Sequence, residues 1–301
     1  LPDLQPRIQV SLFSILEEKE IQIRGFKVRL PLDIQFIFTS NPEDYTNRGT
    51  IVTPLKDRVG SQILTHYPES IEIAKKITKQ ESKIDSELGS KIHIPEVARD
   101  IIEQISFEAR ESDLVDRKSG VSARMSITSL QNLVSSAERR MIINKEGKTS
   151  IRMSDFSSVI SSINGKVELV YEGEEEGAEQ VSYNLISSAV KSIFNKYFPK
   201  IEKLTKPDEI TPYDSLLNWF SNKQLVINDN LNNKDYKNLL NEVIDAKKLI
   251  KKYIPELNDD DELFFVEFIL WGLESYNKLS ILRTNNGIEY KDPFNNFINK
   301  I

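Results

Sequence analysis

The sequence predicts an α/β segment at the amino-terminal end, followed by a mainly α-helical remainder. Three observations predict it. Residues 34–38 (IQFIF) are a nearly all-apolar run closed by Asn41-Pro42, the pattern of a strand covered on both faces in a parallel sheet. Residues 20–30 alternate around Arg24-Gly25, as a hairpin does. From Glu69 onward, apolar residues recur at helical spacing.

Taken in order, residues 7–18 put Ile8, Leu12, Ile15 and Leu16 on one helical face, with Pro6 near the first turn, where its missing N–H costs little. The hairpin then turns Ile21 and Ile23 to one side. A parallel strand at 34–38 needs neighbours, which are expected upstream of Leu1. With an opening of LPDLQPRIQV, Leu1 reads as a cut edge, and the strand left alone would be prone to aggregation. Pro95 opens a helix with Val97, Ile101, Ile105 and Ala109 on one side. A second helix over 122–141 aligns Ile127, Leu130, Val134, Ala137 and Met141. A short helix over 154–163 stops at Asn164-Gly165. Residues 166–171 (KVELVY) predict a strand and residues 172–179 (EGEEEGAE) a solvated acidic loop. A long helix spans 181–204, interrupted near Pro199. Pro207 and Pro212 bracket a linker, and residues 213–301 read as mostly helical.

Composition narrows the function. The chain has 301 residues, a net charge of -6 and interspersed charges of both signs, which gives no basic footprint for nucleic acid. It has no cysteine, which excludes disulfides and thiolate metal sites and suits a cytoplasmic location. Its two histidines, His66 and His93, are too few for a histidine-based metal cluster. The most apolar run, residues 263–273, is too short to cross a membrane and contains Glu267.

A P-loop needs G-x-x-x-x-G-K-[ST] after a strand. Gly147-Lys148-Thr149 imitates its end, but position 142 is Ile142 and a charged helix precedes it; Gly165-Lys166 does no better. A Walker B strand ending in Asp-Glu is likewise absent from these residues.

The strings LPDL, RIQV, LEEKEIQIRGFKVRLPLD, NPEDYTNRG, TPLKDR, THYP, SGVSAR and GKVELVYEGE stand in an order that resembles AAA+ ATPases of the magnesium chelatase small-ATPase-subunit/MoxR-like branch. The resemblance covers residues 1–197. Beyond 212, LLNWFSNKQL is weakly similar to the tail of the same subgroup. It implies the carboxy-terminal part of an AAA+ nucleotide-binding core at 1–68 and a helical lid at 69–170. An acidic loop, long helix and linker follow at 171–211, and a helical carboxy-terminal region at 212–301. Three residues acquire roles from it. Asn41 matches sensor 1, which orients the attacking water. Arg58 matches the arginine finger, inserted into a neighbouring subunit's site. Arg124 matches sensor 2 at the start of a lid helix. Read without the family, Asn41-Pro42 is a strand-ending turn, Asp57-Arg58 an exposed surface pair, and Arg124 an exposed arginine set against the helix dipole.

The resemblance further implies a homo-oligomeric ring using ATP and Mg²⁺, with the main nucleotide-binding residues outside these 301, and the hairpin near the pore. A partner bearing a von Willebrand factor A domain is also implied, as is the coupling of ATP hydrolysis to remodelling of a partner or client. By itself this stretch is expected to hydrolyse no ATP. Two other functions compete: a non-catalytic helical interaction module, and a transcription activator of the enhancer-binding class. The GAFTGA loop of the latter does not occur in these residues.

Overall fold

A computed structural model describes residues 4–29, 33, 35–40, 51–201, 211–284 and 286–293. The chain divides into two compact units, Leu1–Tyr67 and Pro68–Ile301.

In the first unit, α1 (Pro6–Phe13) runs into one π-helical turn over Ser14–Glu18. Gln9 on α1 is buried and works as a clasp. Its Nε2 donates to the Leu4 carbonyl at 2.9 Å, and its Oε1 accepts the Val52 N–H at 2.9 Å. Val52 is the N-cap of α2 (Thr53–Asp57), whose Leu55 is fully buried. The expected hairpin is present: β1 (Glu20–Ile23) pairs antiparallel with β2 (Phe26–Arg29), Ile23 opposite Phe26. Arg24 and Gly25 both take positive φ, 47° and 86°, the geometry whose twist suits a two-residue turn.

The strand expected at 34–38 does not form. Ile34 lies outside the described residues, residues 35–40 are neither helix nor strand, and Ile37 is 82% exposed. An apolar run specifies burial but not a pairing partner, and no described strand runs beside this one to complete a parallel ladder.

The second unit opens with α3 (Ile71–Glu81), N-capped by Ser70, and α4 (Ser86–Lys91), N-capped by Asp85. Next come β3 (Ile92–His93), α5 (Glu96–Glu111), α6 (Arg124–Ile143) and β4 (Thr149–Ser150), which lies parallel to β3. A 3₁₀ stretch over Met153–Val159 leads into α7 (Ile160–Asn164), which ends at Gly165 as expected. The helices expected from Pro95 and over 122–141 are present and bury their stripes, Val97, Ile101, Ile105 and Ala109 on α5 and Leu130, Val134, Ala137 and Met141 on α6.

Residues 166–171 do not form the expected strand. Leu169 makes a single bridge to Val115, and the backbone bonds stop at Asp116 N–H to Glu168 O and Val170 N–H to Leu114 O. Tyr171 already begins a helix. The acidic stretch expected as a loop is α8 (Tyr171–Glu176), with Glu172 and Glu174 in its first turn, where the helix dipole favours anions. Gly177, at φ 95°, turns the chain into α9 (Ala178–Tyr197); it ends short of the expected 204, because Phe198 is extended ahead of Pro199, as a residue before proline is biased to be.

Beyond the linker lie α10 (Asp214–Asn222), β5 (Leu225–Asn228), α11 (Asn233–Asn241), α12 (Ile244–Tyr253), α13 (Asp259–Ser275), β6 (Ser280–Thr284) and β7 (Gly287–Lys291). The carboxy-terminal region is therefore not helical alone: it holds an antiparallel sheet ordered β5-β7-β6. Helix α13 is buried continuously from Phe264 to Leu273, as an all-round apolar helix must be. It packs against α9, where a Cβ on Gly272 would sit 2.2 Å from the Phe194 ring. Segments 69–170, 171–211 and 212–301 contribute to one core; Ile101, Leu130, Ile193 and Phe268 all belong to it. No described helix is long and apolar enough to cross a membrane.

Candidate functional site

Of the three residues singled out by sequence, Asn41 lies outside the described residues. Arg58 belongs to the first unit and Arg124 to the second. Arg58 is the half-buried C-cap of α2. Its backbone N–H reaches the Leu55 carbonyl, and its Nη1 donates to the Pro54 carbonyl at 2.8 Å, folding the guanidinium onto its own helix. Arg124 is the exposed first residue of α6. The N-cap, Ala123, offers no side-chain oxygen; the Arg124 N–H instead reaches the Ser122 Oγ at 3.2 Å. A cation at this end opposes the helix dipole.

The far end of α6 enters a buried polar network that sequence reading missed. Arg140 is paired with Asp155, both fully buried, and its Nη2 donates to the Ser150 carbonyl at 2.7 Å. Asp155 Oδ2 also accepts the Arg152 N–H at 2.8 Å, starting the 3₁₀ stretch. The Arg152 guanidinium donates to the Leu231 carbonyl at 2.8 Å and to Asn233 Oδ1 at 3.1 Å, and stacks 3.9 Å above the Tyr236 ring. The Tyr236 hydroxyl donates to Glu267 on α13, which also accepts from Tyr290 Oη at 3.1 Å and from the Met153 N–H at 3.2 Å. Trp271 Nε1 closes the chain onto Tyr290 Oη at 2.9 Å. Burial pushes the Glu267 carboxyl up and the Tyr236 and Tyr290 hydroxyls well up, and it lowers Arg152. This network ties α6, the 3₁₀ stretch, α11, α13 and β7 together, and leaves the Arg140 Nε buried without a hydrogen-bond partner.

Above the network lies an open cleft of about 480 Å³. One wall is the β3–β4 pair, with Ile92, His93, Thr149 and Ser150 all lining the cleft and Ile92 and Thr149 buried. The opposite wall is the first turns of α11 and α13, with Asn233, Tyr236 and Lys237 from α11 and Asp259 and Asp260 from α13. Asn233 bridges the two walls: its side chain donates to the Lys148 carbonyl at 2.9 Å and accepts from Thr149 Oγ1 at 3.1 Å. His93 Nε2 lies 2.6 Å from Asp261 Oδ1 and spans the same gap. Gly147-Lys148-Thr149, set aside as a P-loop, thus feeds the edge strand of this cleft.

No family model, no curated protein and no solved structure matches the chain.

Two signals could have found the network and the cleft. A lone glutamate inside LFFVEFILWGL demands buried donors, and His93 stands in an otherwise apolar IHIP stretch. Lys237 carries no local signal, because its position depends on how α11 docks.

Proposed function

We propose that these residues belong to a ring-forming AAA+ ATPase of the magnesium chelatase/MoxR-like branch, in which the helical unit couples ATP hydrolysis to remodelling of a partner or client. Arg124 carries the reading. An exposed cation on the first turn of a long helix, with no side-chain cap, costs stability locally, and contact with a phosphate would repay that cost. The tight β1–β2 hairpin and the position of Arg58 at the end of α2 support it.

The implied partners are further copies of the chain in a ring and a protein bearing a von Willebrand factor A domain. ATP and Mg²⁺ are the implied cofactors. Among the described residues no group of three or more His, Asp or Glu side chains comes together to hold a metal ion. The nucleotide contacts of this reading are those of Asn41, which lies outside the described residues, and Arg124, with Arg58 acting on a neighbour's nucleotide as the finger.

The test is ATP turnover by the full-length protein. Arg58→Ala lowers turnover by about 10³–10⁵ while ATP binding is retained, as loss of a finger does elsewhere. Arg124→Ala also lowers turnover. Equal rates in wild type and both variants would sink the reading. They would favour a non-catalytic interaction module instead, which the single core shared by residues 69–170 and the carboxy-terminal helices also suits.

A further inference from the structure

We infer that the β1–β2 hairpin is a contact surface for a second copy of this chain, joined apolar face to apolar face. Ile21 stands opposite Val28 and Ile23 opposite Phe26, and residues directly opposite in a ladder share a face. Side chains alternate along each strand, so all four apolar residues of the hairpin lie on one side. Glu20, Lys27 and Arg29 take the other side, where Lys27 Nζ lies 3.6 Å from Glu20 Oε2 and Arg29 stands opposite Glu20. The polar face thus carries its own countercharge. The apolar face has no cover: Ile23 is 55% exposed, Phe26 76% and Val28 43%. Two strands alone are at best marginally stable in water, and packing of the hydrophobic face is what makes such a unit persist.

The same pattern selects the occupant. A foreign strand added to an edge of the hairpin would leave the apolar face bare. An anionic membrane surface would need cations around that face, and Lys27 and Arg29 project from the opposite one. An uncharged apolar patch is complementary to its own copy, and a two-fold contact requires the same patch on both partners. Charge then sets the direction. Arg24 stands at the tip, so hairpins stacked tip over tip would bring two guanidiniums together. Stacked in opposite directions, Ile23 lies over the other copy's Ile21 and the bulky Phe26 over its smaller Val28. The two tips are then a hairpin length apart, about 13 Å at 3.3 Å per residue.

The contact removes about 400 Å² of apolar surface from each copy, on the scale of roughly 150–250 Å² for one large aromatic side chain. The total of about 800 Å² falls short of the about 1,200 Å² at which stable complexes begin, so the pair forms only at high protein concentration. A two-fold contact also closes at two copies. It is therefore a different contact from the ring that the ATPase reading requires, and it does not rest on that reading.

Sedimentation equilibrium of the 301-residue chain without nucleotide, at about 1 µM to 1 mM, tests this. The mass rises with concentration from 34.6 kDa towards twice that value and no further. Ile23→Thr combined with Phe26→Thr, at exposed positions where threonine suits a strand, raises the dissociation constant about tenfold or more. Lys27→Gln on the polar face and Leu64→Ser, exposed elsewhere in the first unit, leave it unchanged. Dilution of wild type moves the NMR amide signals of Ile21, Ile23, Phe26 and Val28, a readout that needs no variant to fold. A chain that stays at 34.6 kDa throughout overturns the inference, as does a double threonine variant that pairs as well as wild type. Growth beyond two copies overturns the two-fold contact. Equal weakening by Leu64→Ser, or hairpin signals unmoved on dissociation, overturns the location. ATP turnover is not read in any of these measurements, so failure here leaves the ATPase reading standing, and the reverse.

Discussion

Glu267 shows how one residue can set the chemistry of a whole core. It is 0% exposed in the most apolar helix of the chain, held by two tyrosine hydroxyls and a backbone N–H. Burial raises its carboxyl above the ordinary value of 4.5. The native state therefore keeps a proton that the unfolded chain has already released, and stability falls as pH rises from about 4.5 through the raised native value. Glu103 and Glu274, raised by burial as well, act in the same direction. In Glu267→Gln this contribution to the pH slope disappears. Urea unfolding across pH 4–8 should show wild type losing stability relative to the variant as pH rises. Parallel curves would mean that Glu267 stays ionised throughout. The glutamate itself was legible in the sequence. Its partners were not, because Tyr236 and Tyr290 reach it from an α-helix and a strand far along the chain.

The elements divide by how local their specification is. Helices α5 and α6 and the β1–β2 hairpin were legible because periodicity, a capping position and a two-residue turn lie within a few residues of one another. The β6–β7 hairpin carried the string Asn286-Gly287 between alternating residues, a signal that went unread, although the ladder pairs Thr284 with Gly287 and so places the glycine in β7 and not in the turn. Gly287 is required there: a Cβ would approach the Ile227 carbonyl to 2.1 Å across the β5–β7 ladder. Residues 34–38 and 166–171 failed in the opposite way. Their composition asks for strands, but a strand exists only with a partner.

At the α9–α13 contact, Gly272→Ala forces a methyl into the Phe194 ring, which is itself fully buried, stacked with Phe198 and tilted against Phe268. Overpacking of this kind costs about 1–3 kcal/mol. Gly147→Ala, with no atom within 4 Å of its added Cβ, serves as the control and leaves the thermal midpoint nearly unchanged. An unshifted midpoint for Gly272→Ala would show that α9 and α13 are not packed this closely.

For the whole molecule, the division at Tyr67 matters most. The large core cluster contains buried residues from Ile92 to Tyr290 and none from the first unit. The first unit exposes Phe26, Ile37, Ile63 and Leu64. Residues 68–301 produced alone should therefore unfold in one cooperative transition, with near-ultraviolet circular dichroism like that of the same residues in the full chain. A broad, non-cooperative melt would show that the helical unit depends on residues 1–67.

By itself the sequence determined the mainly helical character of residues 69–301, the hairpin, the helix end at Gly165, and the three polar residues worth testing. All of these are written in local spacing, turn chemistry or short motifs. Tertiary structure alone decided that the three carboxy-terminal segments share one core, that Tyr236 and Tyr290 reach Glu267, and that β3–β4 and α11 line one cleft. Those facts rest on contacts between residues far apart in the chain, and neither periodicity nor composition carries information about which distant surfaces meet.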